Sequence, residues 1–426
     1  MSHEHKMVEP KKFEFPSSLK GLFIGMAVIG IIAFVVALFI GQKHAAWNGY
    51  LIGFWFTFSL AVGGPFILST QHLTQAAWSM PIRRLFEAPG KFILPSFILF
   101  LGLLLVGGAE LYSWWDMNYV LNDPILIKKA AWFEKTTFLG FTVTGFIAVI
   151  ISYHLLRKES IAQDSKPSQR ATMMSQVYSI AFILSFIFTF SFMAWYLIMG
   201  LDPHWFSTMF SVYAFSGMFQ STLAFVVIVL LFAMQQGAFG DFAGERQVHD
   251  LGQLLFGFTV FYAYIAFCQY LLIWYANIPE EATWYLARGY VGDTKTGWET
   301  FTMVLPVCKF IIPFFVLLPQ KNKMNKMNIL RSVAFGLLLL QLYEVWYWVA
   351  PTTHEVGKFA ADPSFLHMVI EFLIAFGFFG GFLYVVFNVL TKENIVPMND
   401  PFLKEGTKGH HHGVKAPEPK KMVISK

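Results

Sequence analysis

Ten separate apolar runs, each about as long as a membrane span, constrain this chain of 426 residues more than any other feature. A helix needs about 20 apolar residues to cross the hydrocarbon core of a bilayer. We number the predicted helices α1 to α10, and they cover residues 20–41, 46–78, 92–117, 136–157, 173–200, 207–236, 249–277, 299–319, 326–350 and 364–391. Only 13% of the residues are charged, against about 25% in a soluble domain. The sequence therefore predicts an all-α integral membrane protein.

The positive charges predict how this protein lies in the membrane. An even number of spans puts both termini on one side. Most of the 31 Lys and Arg residues fall in the two tails and in the loops after even-numbered helices. Because such residues accumulate on the cytoplasmic side, we expect both termini in the cytoplasm. Residues 1–19 are then an N-terminal tail, and residues 392–426 a disordered C-terminal tail.

Resemblances between the two halves of the membrane region indicate an internal duplication. α3 ends in AELYSWWD and α7 in CQYLLIWYAN, while α5 ends in MAWYLIMGLDP and α9 in EVWYWVAPTT. The entries into α4 and α8 (WFEKTTFLGF and GWETFTMVL) and the middles of α2 and α6 (FTFSLAVGGP and YAFSGMFQST) match in the same order. We therefore predict two pseudo-repeated four-helix bundles, residues 46–200 (α2–α5) and 201–350 (α6–α9), related by an axis along the membrane normal. α1 (20–41) and α10 (364–391) flank them.

Two stretches carry a resemblance to a known family. MGLDPHWFSTMFSVYAF (199–215) resembles the Asp-Pro-x-Trp-Phe-Ser-Thr segment of the polysulfide-reductase membrane-subunit (NrfD-like) superfamily. Together with LIWYANIPEEATWY (272–285), it closely resembles the F subunits (ActF) of bacterial alternative complex III, which passes electrons from quinol to cytochrome c or an oxidase.

This resemblance implies a place in a respiratory complex of the bacterial inner membrane. The partners it implies are a homologous membrane sister subunit (ActC-like) and subunits that carry haem c and iron–sulfur clusters. It also implies a possible role for quinone, although in that family the sister subunit is the better candidate for the quinol site.

The residues themselves argue against a redox cofactor bound by this chain. The two cysteines, Cys268 and Cys308, are too few for an iron–sulfur cluster or a zinc site. The histidines within the spans are not paired as a membrane b-haem requires, and we expect no metal site. His410–His412 could touch a metal, but a solvated polar tail explains them better. The net charge of +5 resides in tails and loops, so we expect membrane lipids and no nucleic acid as partners.

Ionisable groups inside membrane spans are costly and are therefore functional candidates. Ordered by predicted depth from the cytoplasm, the candidates for a proton pathway are His72, Tyr178, His249, Asp250, then Tyr262, Lys309, Glu371, then Glu110, Asp116, Glu344 and His367. This order predicts two polar half-paths that meet in the middle of the membrane.

Structural interpretations of the same residues stay open. Lys309 could instead be neutralised by Glu110, Glu344 or Glu371 in a buried ion pair that locks two helices. Buried glutamines such as Gln220 could join neighbouring helices by hydrogen bonds. The aromatic rim of α3 offers a weaker quinone-binding candidate, but tyrosine and tryptophan also form ordinary interfacial belts. Its residues are Glu110, Tyr112, Trp114 and Asp116.

The leading hypothesis from the sequence is a cofactor-free, non-catalytic membrane subunit of a quinol-oxidising respiratory enzyme that provides a transmembrane proton pathway. Two alternatives remain. One is a stand-alone proton-coupled secondary transporter, because inner charges and internal repeats also fit that class. The other is a passive membrane scaffold of the same complex.

Overall fold

A computed structural model describes residues 8–291, 294–324, 326–352 and 364–407. It contains ten helices that are long and apolar enough to cross a membrane. Their bounds are Ser17–Phe39 (α1), Lys43–Leu73 (α2), Ala77–Leu111 (α3), Lys135–Ala162 (α4), Gln169–Leu201 (α5), Phe210–Gln235 (α6), Glu245–Ala276 (α7), Glu299–Leu317 (α8), Met327–Val349 (α9) and Phe365–Lys392 (α10). Each of the ten predicted runs corresponds to one of these helices, as expected of a multi-pass membrane protein.

Short elements occupy the connections between these helices. The helical ones are Met117–Asn122, Ala130–Phe133, Pro279–Leu286, Gln320–Met324 and Leu403–Thr407. Tyr290–Val291 and Thr294–Lys295 pair as a two-residue antiparallel hairpin. Apart from this hairpin, the regular structure of the described residues is helical, as the all-α prediction requires.

α2 and α6 form the centre of the molecule. In α2, 94% of the most apolar 18-residue stretch is buried, whereas in α1 the corresponding share is 17%. α2 contacts α3, α5, α6, α9 and α10, and α6 contacts α7 and α9 as well as α2. Because lipid is as apolar as a protein core, the strongly apolar α1 can lie at the periphery while α2 carries small and polar residues inside.

The contacts divide the central helices into two groups. α4 packs along α5, and both α3 and α5 pack against α2. In the second group, α7 and α9 pack against α6, and α8 contacts α7 and α9. The division into two four-helix bundles and their origin by duplication stay predictions.

α1 and α10 meet where two glycines face each other. A Cβ atom on Gly30 would lie 2.5 Å from the Cα of Gly377. Close approach of two helix backbones through small residues is a common way to pack membrane helices. α10 is in turn packed along α2, so it joins α1 to the centre of the molecule.

The start of α3 differs from the sequence prediction. α3 begins at Ala77 and not at residue 92, because its first turns hold Arg83, Arg84 and Glu87 in a buried position. Arg84 Nη1 donates to Glu87 Oε2 at 2.7 Å. Charges that neutralise each other inside protein can enter a span, which a count of apolar residues along the sequence does not foresee.

Both ends of the described chain lie on one side, which we call the terminal side. Val8 N donates to Asp241 Oδ2 in the α6–α7 connection at 2.8 Å, and Leu403–Thr407 packs against the first turn of α3. The sequence predicts residues 393–407 as part of the disordered C-terminal tail. They are instead folded against the bundle, because Val396 is buried and Asp400 pairs with Arg83. His410–His412 lie outside the described residues.

Candidate functional site

A charged cluster is buried inside the bundle of α6 to α9. Lys309 of α8 forms an ion pair with Glu344 of α9, and both side chains are 0% exposed. Lys309 Nζ also donates to Gln341 Oε1 at 2.7 Å. Of the three carboxylates that the sequence left open as partners of Lys309, the structure selects Glu344.

Two tyrosines complete the shell around the carboxylate of Glu344. The hydroxyl of Tyr213 in α6 donates to Glu344 Oε1 at 2.6 Å. The hydroxyl of Tyr262 in α7 donates to the same oxygen. The ammonium of Lys309 lies 4.0 Å from the centre of the Tyr262 ring. All four helices of the bundle therefore contribute to one site, which we call the Lys–Glu cluster (Tyr213, Tyr262, Lys309, Gln341 and Glu344).

Local sequence explains how these groups meet. Gln341 and Glu344 are three residues apart and share one face of α9. Lys309 lies in the π-helical segment Leu305–Ile311 of α8, a local widening that is frequent at functional sites. Gly217 of α6 leaves room for the cluster, since a Cβ there would lie 2.7 Å from Gln341 Oε1.

The Lys–Glu cluster combines a titratable pair with hydroxyl groups that can pass a proton. Burial disfavours both charges, and their mutual attraction offsets that cost. Transfer of a proton from the ammonium to the carboxylate would leave both groups neutral without changing the net charge of the pair. Such a group can hold and release a proton if water reaches it.

Two buried glutamines flank the Lys–Glu cluster along the membrane normal. Gln220 Nε2 donates to Thr259 Oγ1 at 3.0 Å, but its Oε1 has no partner among the described residues. Gln269 lies seven residues after Tyr262 on the same face of α7, and neither polar atom of its amide has such a partner. Buried amide atoms without a protein partner usually bind water. We infer hydration on both sides of the cluster.

The interior face of α7 becomes apolar toward the terminal side. Between Gln247 and Thr259 its buried residues are Val248, Leu251, Gly252 and Leu255. His249 and Asp250 lie in the first turns of the same helix but are partly exposed, with a His249 Nδ1 to Asp250 Oδ1 distance of 3.6 Å. Among the described residues, an apolar layer therefore separates these two predicted pathway residues from the Lys–Glu cluster.

Glu371 belongs to a second, separate polar site. Its carboxylate accepts from Asn48 Nδ2 at 3.1 Å and from Trp346 Nε1 at 2.7 Å. Trp346 and Glu344 are two residues apart, so about 200° of helical rotation places them on opposite faces of α9. The two carboxylates therefore do not converge on one point, although the sequence placed both on the pathway.

A small cavity lies at the outer end of this second site. It has a volume of about 10 Å³ and is lined by His367 and Glu371 among others, which is about the space that one water needs. His367 is partly exposed, and its Nε2 lies 2.7 Å from Gln42 Oε1. Water can thus approach Glu371 from the side opposite the termini.

Among the described residues, the aromatic rim at the end of α3 forms no polar slot. Glu110 and Asp116 are exposed, and Glu110 lies 4.0 Å from the ammonium of Lys43. Tyr112 and Trp114 are buried, and each donates to a backbone carbonyl, at 3.0 Å and 2.8 Å. The polar groups of these two aromatic side chains are therefore already bonded within the protein.

The remaining predicted residues lie near the terminal side. His72 is buried and its Nε2 has no partner among the described residues. It lines a cavity of about 20 Å³ together with Gln71 and Ser175. Tyr178 of α5 is partly buried and is not among the residues that line this cavity.

Sequence reasoning did not find several groups that complete these sites. Tyr213, Gln341, Asn48 and Trp346 are polar or aromatic residues in apolar runs, and nothing in their spacing marked them. It also missed a network on the terminal side, where Glu87 accepts from Arg84 and Ser160 while Arg157 pairs with Glu393. The only sequence signal for this network is that its charged residues lie close to predicted spans.

Within the described ranges, no group of three or more His, Cys, Asp or Glu side chains could hold a metal ion. Cys268 and Cys308 are both free thiols. No protein-family model and no curated protein matches this sequence.

Proposed function

We propose that this chain is a membrane subunit of a quinol:cytochrome c or quinol:oxidase oxidoreductase of the alternative complex III type, and that it carries protons through the bundle of α6 to α9. The subunit works without a redox cofactor of its own. Its partners in the bacterial inner membrane are an ActC-like sister and subunits with haem c and iron–sulfur clusters. The motif resemblance at 199–215 and 272–285 supports this assignment.

The Lys–Glu cluster carries the proposal of a proton pathway. A fully buried ion pair costs more free energy than a simple link between helices requires. On both sides of it lie amide atoms that have no partner among the described residues. In this proposal Glu344 and Lys309 hold the transported proton. Tyr213 and Tyr262 orient the carboxylate and pass protons to and from it.

The two flanking amides give each side of the route its first water. Gln269 serves the side opposite the termini, and Gln220 with Thr259 serves the terminal side. The apolar layer at Leu251 and Leu255 is the barrier that must hydrate before a proton can pass. A barrier of this kind prevents leakage when no electrons flow.

Proton translocation by the purified complex, reconstituted in sealed vesicles, tests this proposal. Glu344→Gln should keep quinol oxidation but lower the number of protons moved per electron. Lys309→Met combined with Glu344→Gln removes both charges together. This double variant is measured in the same way if the single variant fails to assemble. The matched control is Glu280→Gln, a carboxyl exposed on the α7–α8 connection, which should leave the ratio unchanged.

An unaltered proton-to-electron ratio in an assembled Glu344 variant would refute the pathway and leave a passive scaffold. The assignment to the complex has its own test. The chain purified from its native membrane should bring haem c absorbance with it. Purification alone, or as a homo-oligomer, would instead indicate a stand-alone transporter.

A further inference from the structure

One buried arginine differs from the others in its surroundings. Arg83, Arg84 and Arg157 each form a salt bridge with a carboxylate. Arg288, in the connection between α7 and α8, is 1% exposed and has no salt bridge to a described residue. A buried charge is normally paired with an opposite charge, and Arg288 has no such partner among the described residues.

Backbone carbonyls and aromatic rings hold the guanidinium of Arg288 in place. Its Nε donates to Tyr347 O at 3.2 Å, and its Nη1 to Trp284 O at 2.9 Å. Its Nη2 donates to Trp348 O at 2.8 Å, and the group lies 3.7 Å from the Trp284 ring centre. A guanidinium has five N–H donors, so two remain for another acceptor. Burial lowers the pKa of Arg288 to about 10, and the nearby groups of Tyr347 and Asp202 offset this effect only in part.

Arg288 lines a cavity of about 320 Å³ that other polar and aromatic side chains also border. The cavity lies between the last turns of α7 and the first turn of α8, and Tyr347 of α9 also lines it. Its further lining includes Tyr270, Trp274, Tyr285, Glu299 and Thr302. Two residues of its wall, Trp274 and Met303, are 64% and 63% exposed on apolar helices. The cavity is therefore open toward the bilayer, close to its surface.

We propose that this cavity binds the headgroup of a membrane phospholipid that carries both a phosphate and a primary ammonium. The two remaining N–H donors of Arg288 bind the phosphate. Glu299 uses one oxygen to accept from Thr296 N at 2.7 Å, and its other oxygen binds the ammonium. The rings of Tyr270, Trp274 and Tyr285 suit a cation as well.

The charges in the wall distinguish between kinds of lipid. A lipid with a purely anionic headgroup would meet the carboxylate of Glu299 as a like charge. A zwitterionic headgroup satisfies both Arg288 and Glu299. The volume is at the small end of ligand pockets, which fits a headgroup with the acyl chains left in the bilayer between α7 and α8.

Native mass spectrometry of the purified protein, after detergent washing and addition of defined lipids, tests the site. Wild type should retain one phosphatidylethanolamine and exchange it poorly for phosphatidylglycerol. Glu299→Gln keeps the acceptor for Thr296 N but removes the negative charge, and should lower the preference for phosphatidylethanolamine about tenfold. Ala282→Phe narrows the cavity and should abolish retention. Glu280→Gln, an exposed carboxyl outside the cavity lining, should behave as wild type.

Any of three results would overturn the proposal. They are equal retention of phosphatidylglycerol and phosphatidylethanolamine by wild type, undiminished lipid retention by Ala282→Phe, and an isoprenoid quinone bound in place of a phospholipid. Because Arg288 also holds three carbonyls, Arg288→Gln is informative only in a folded sample. In that sample, the Arg288→Gln variant should retain no lipid, and adding lipid should no longer raise its thermal unfolding temperature.

Discussion

The Lys–Glu cluster makes a quantitative prediction about the stability of the bundle of α6 to α9. Glu344→Gln leaves the ammonium of Lys309 buried without its carboxylate. Lys309→Met leaves the carboxylate with two tyrosine hydroxyls but no cation. Removing one partner of a buried ion pair costs about 3–5 kcal/mol, whereas replacing both is often close to neutral. Each single variant should therefore be strongly destabilised, and the double variant much less so.

The geometry explains why the double variant should be tolerated. The glutamine oxygen at position 344 can still accept from the hydroxyls of Tyr213 and Tyr262, which now donate to Glu344. Methionine fills the space of the lysine side chain, and loss of the ammonium frees only the Gln341 oxygen. If each single variant costs about 3–5 kcal/mol and the double variant is close to neutral, the coupling energy of the cycle is about 6–10 kcal/mol.

Equilibrium unfolding in mixed detergent micelles, followed by tryptophan fluorescence, measures this double-mutant cycle. A control cycle uses Lys43→Met and Glu110→Gln, whose side chains are 59% and 38% exposed and lie 4.0 Å apart. A surface pair of this kind is worth about 0–1 kcal/mol. If the buried pair showed a coupling as small as the surface pair, the assignment of a charged, mutually dependent pair would be wrong.

Three further predictions concern other parts of the molecule. Gly30→Leu should separate α1 from α10 and lower the free energy of unfolding by about 1–3 kcal/mol, while Gly25→Leu, five residues earlier and facing open space, should cost little. Glu371→Gln leaves one oxygen for the two donors Asn48 Nδ2 and Trp346 Nε1, and should lower the free energy of unfolding by about 1–3 kcal/mol. The proton-to-electron ratio should stay unchanged; a lowered ratio would place this carboxyl on the proton pathway. Asp400→Asn breaks a buried pair with an arginine, and should make residues 393–407 sensitive to limited proteolysis while wild type resists.

Much of the fold follows from the sequence because crossing a bilayer is a local requirement. Each apolar run must form its own hydrogen bonds within one helix, so its length and composition suffice to place it. Two predicted boundaries are wrong, and both involve residues that gain their partners only in the folded protein. The beginning of α3 was set 15 residues too late because Arg83 and Glu87 looked like loop residues. Segment 393–407 looked disordered because its few apolar residues gain their partners only from distant helices.

The candidate site was predicted as a set of residue types, not as an arrangement. Lys309, Tyr262 and Glu344 were all named from their position within apolar runs, and the structure brings them together. Glu371 was named for the same reason and lies elsewhere. The difference is the rotation of α9 and α10 about their own axes, which hydrophobicity alone does not specify in helices that are apolar on nearly every face.

The sequence by itself determined that this chain has ten helices long and apolar enough to cross a membrane and which ionisable groups enter them, because both depend on short stretches of composition. Only the tertiary structure decided that Lys309 pairs with Glu344, that Glu371 binds Asn48 and Trp346 instead, and that Arg288 faces a cavity. These pairings join residues far apart in the chain. They depend on how helices turn and pack against each other, and that choice is made by the sum of many side-chain contacts across the whole bundle.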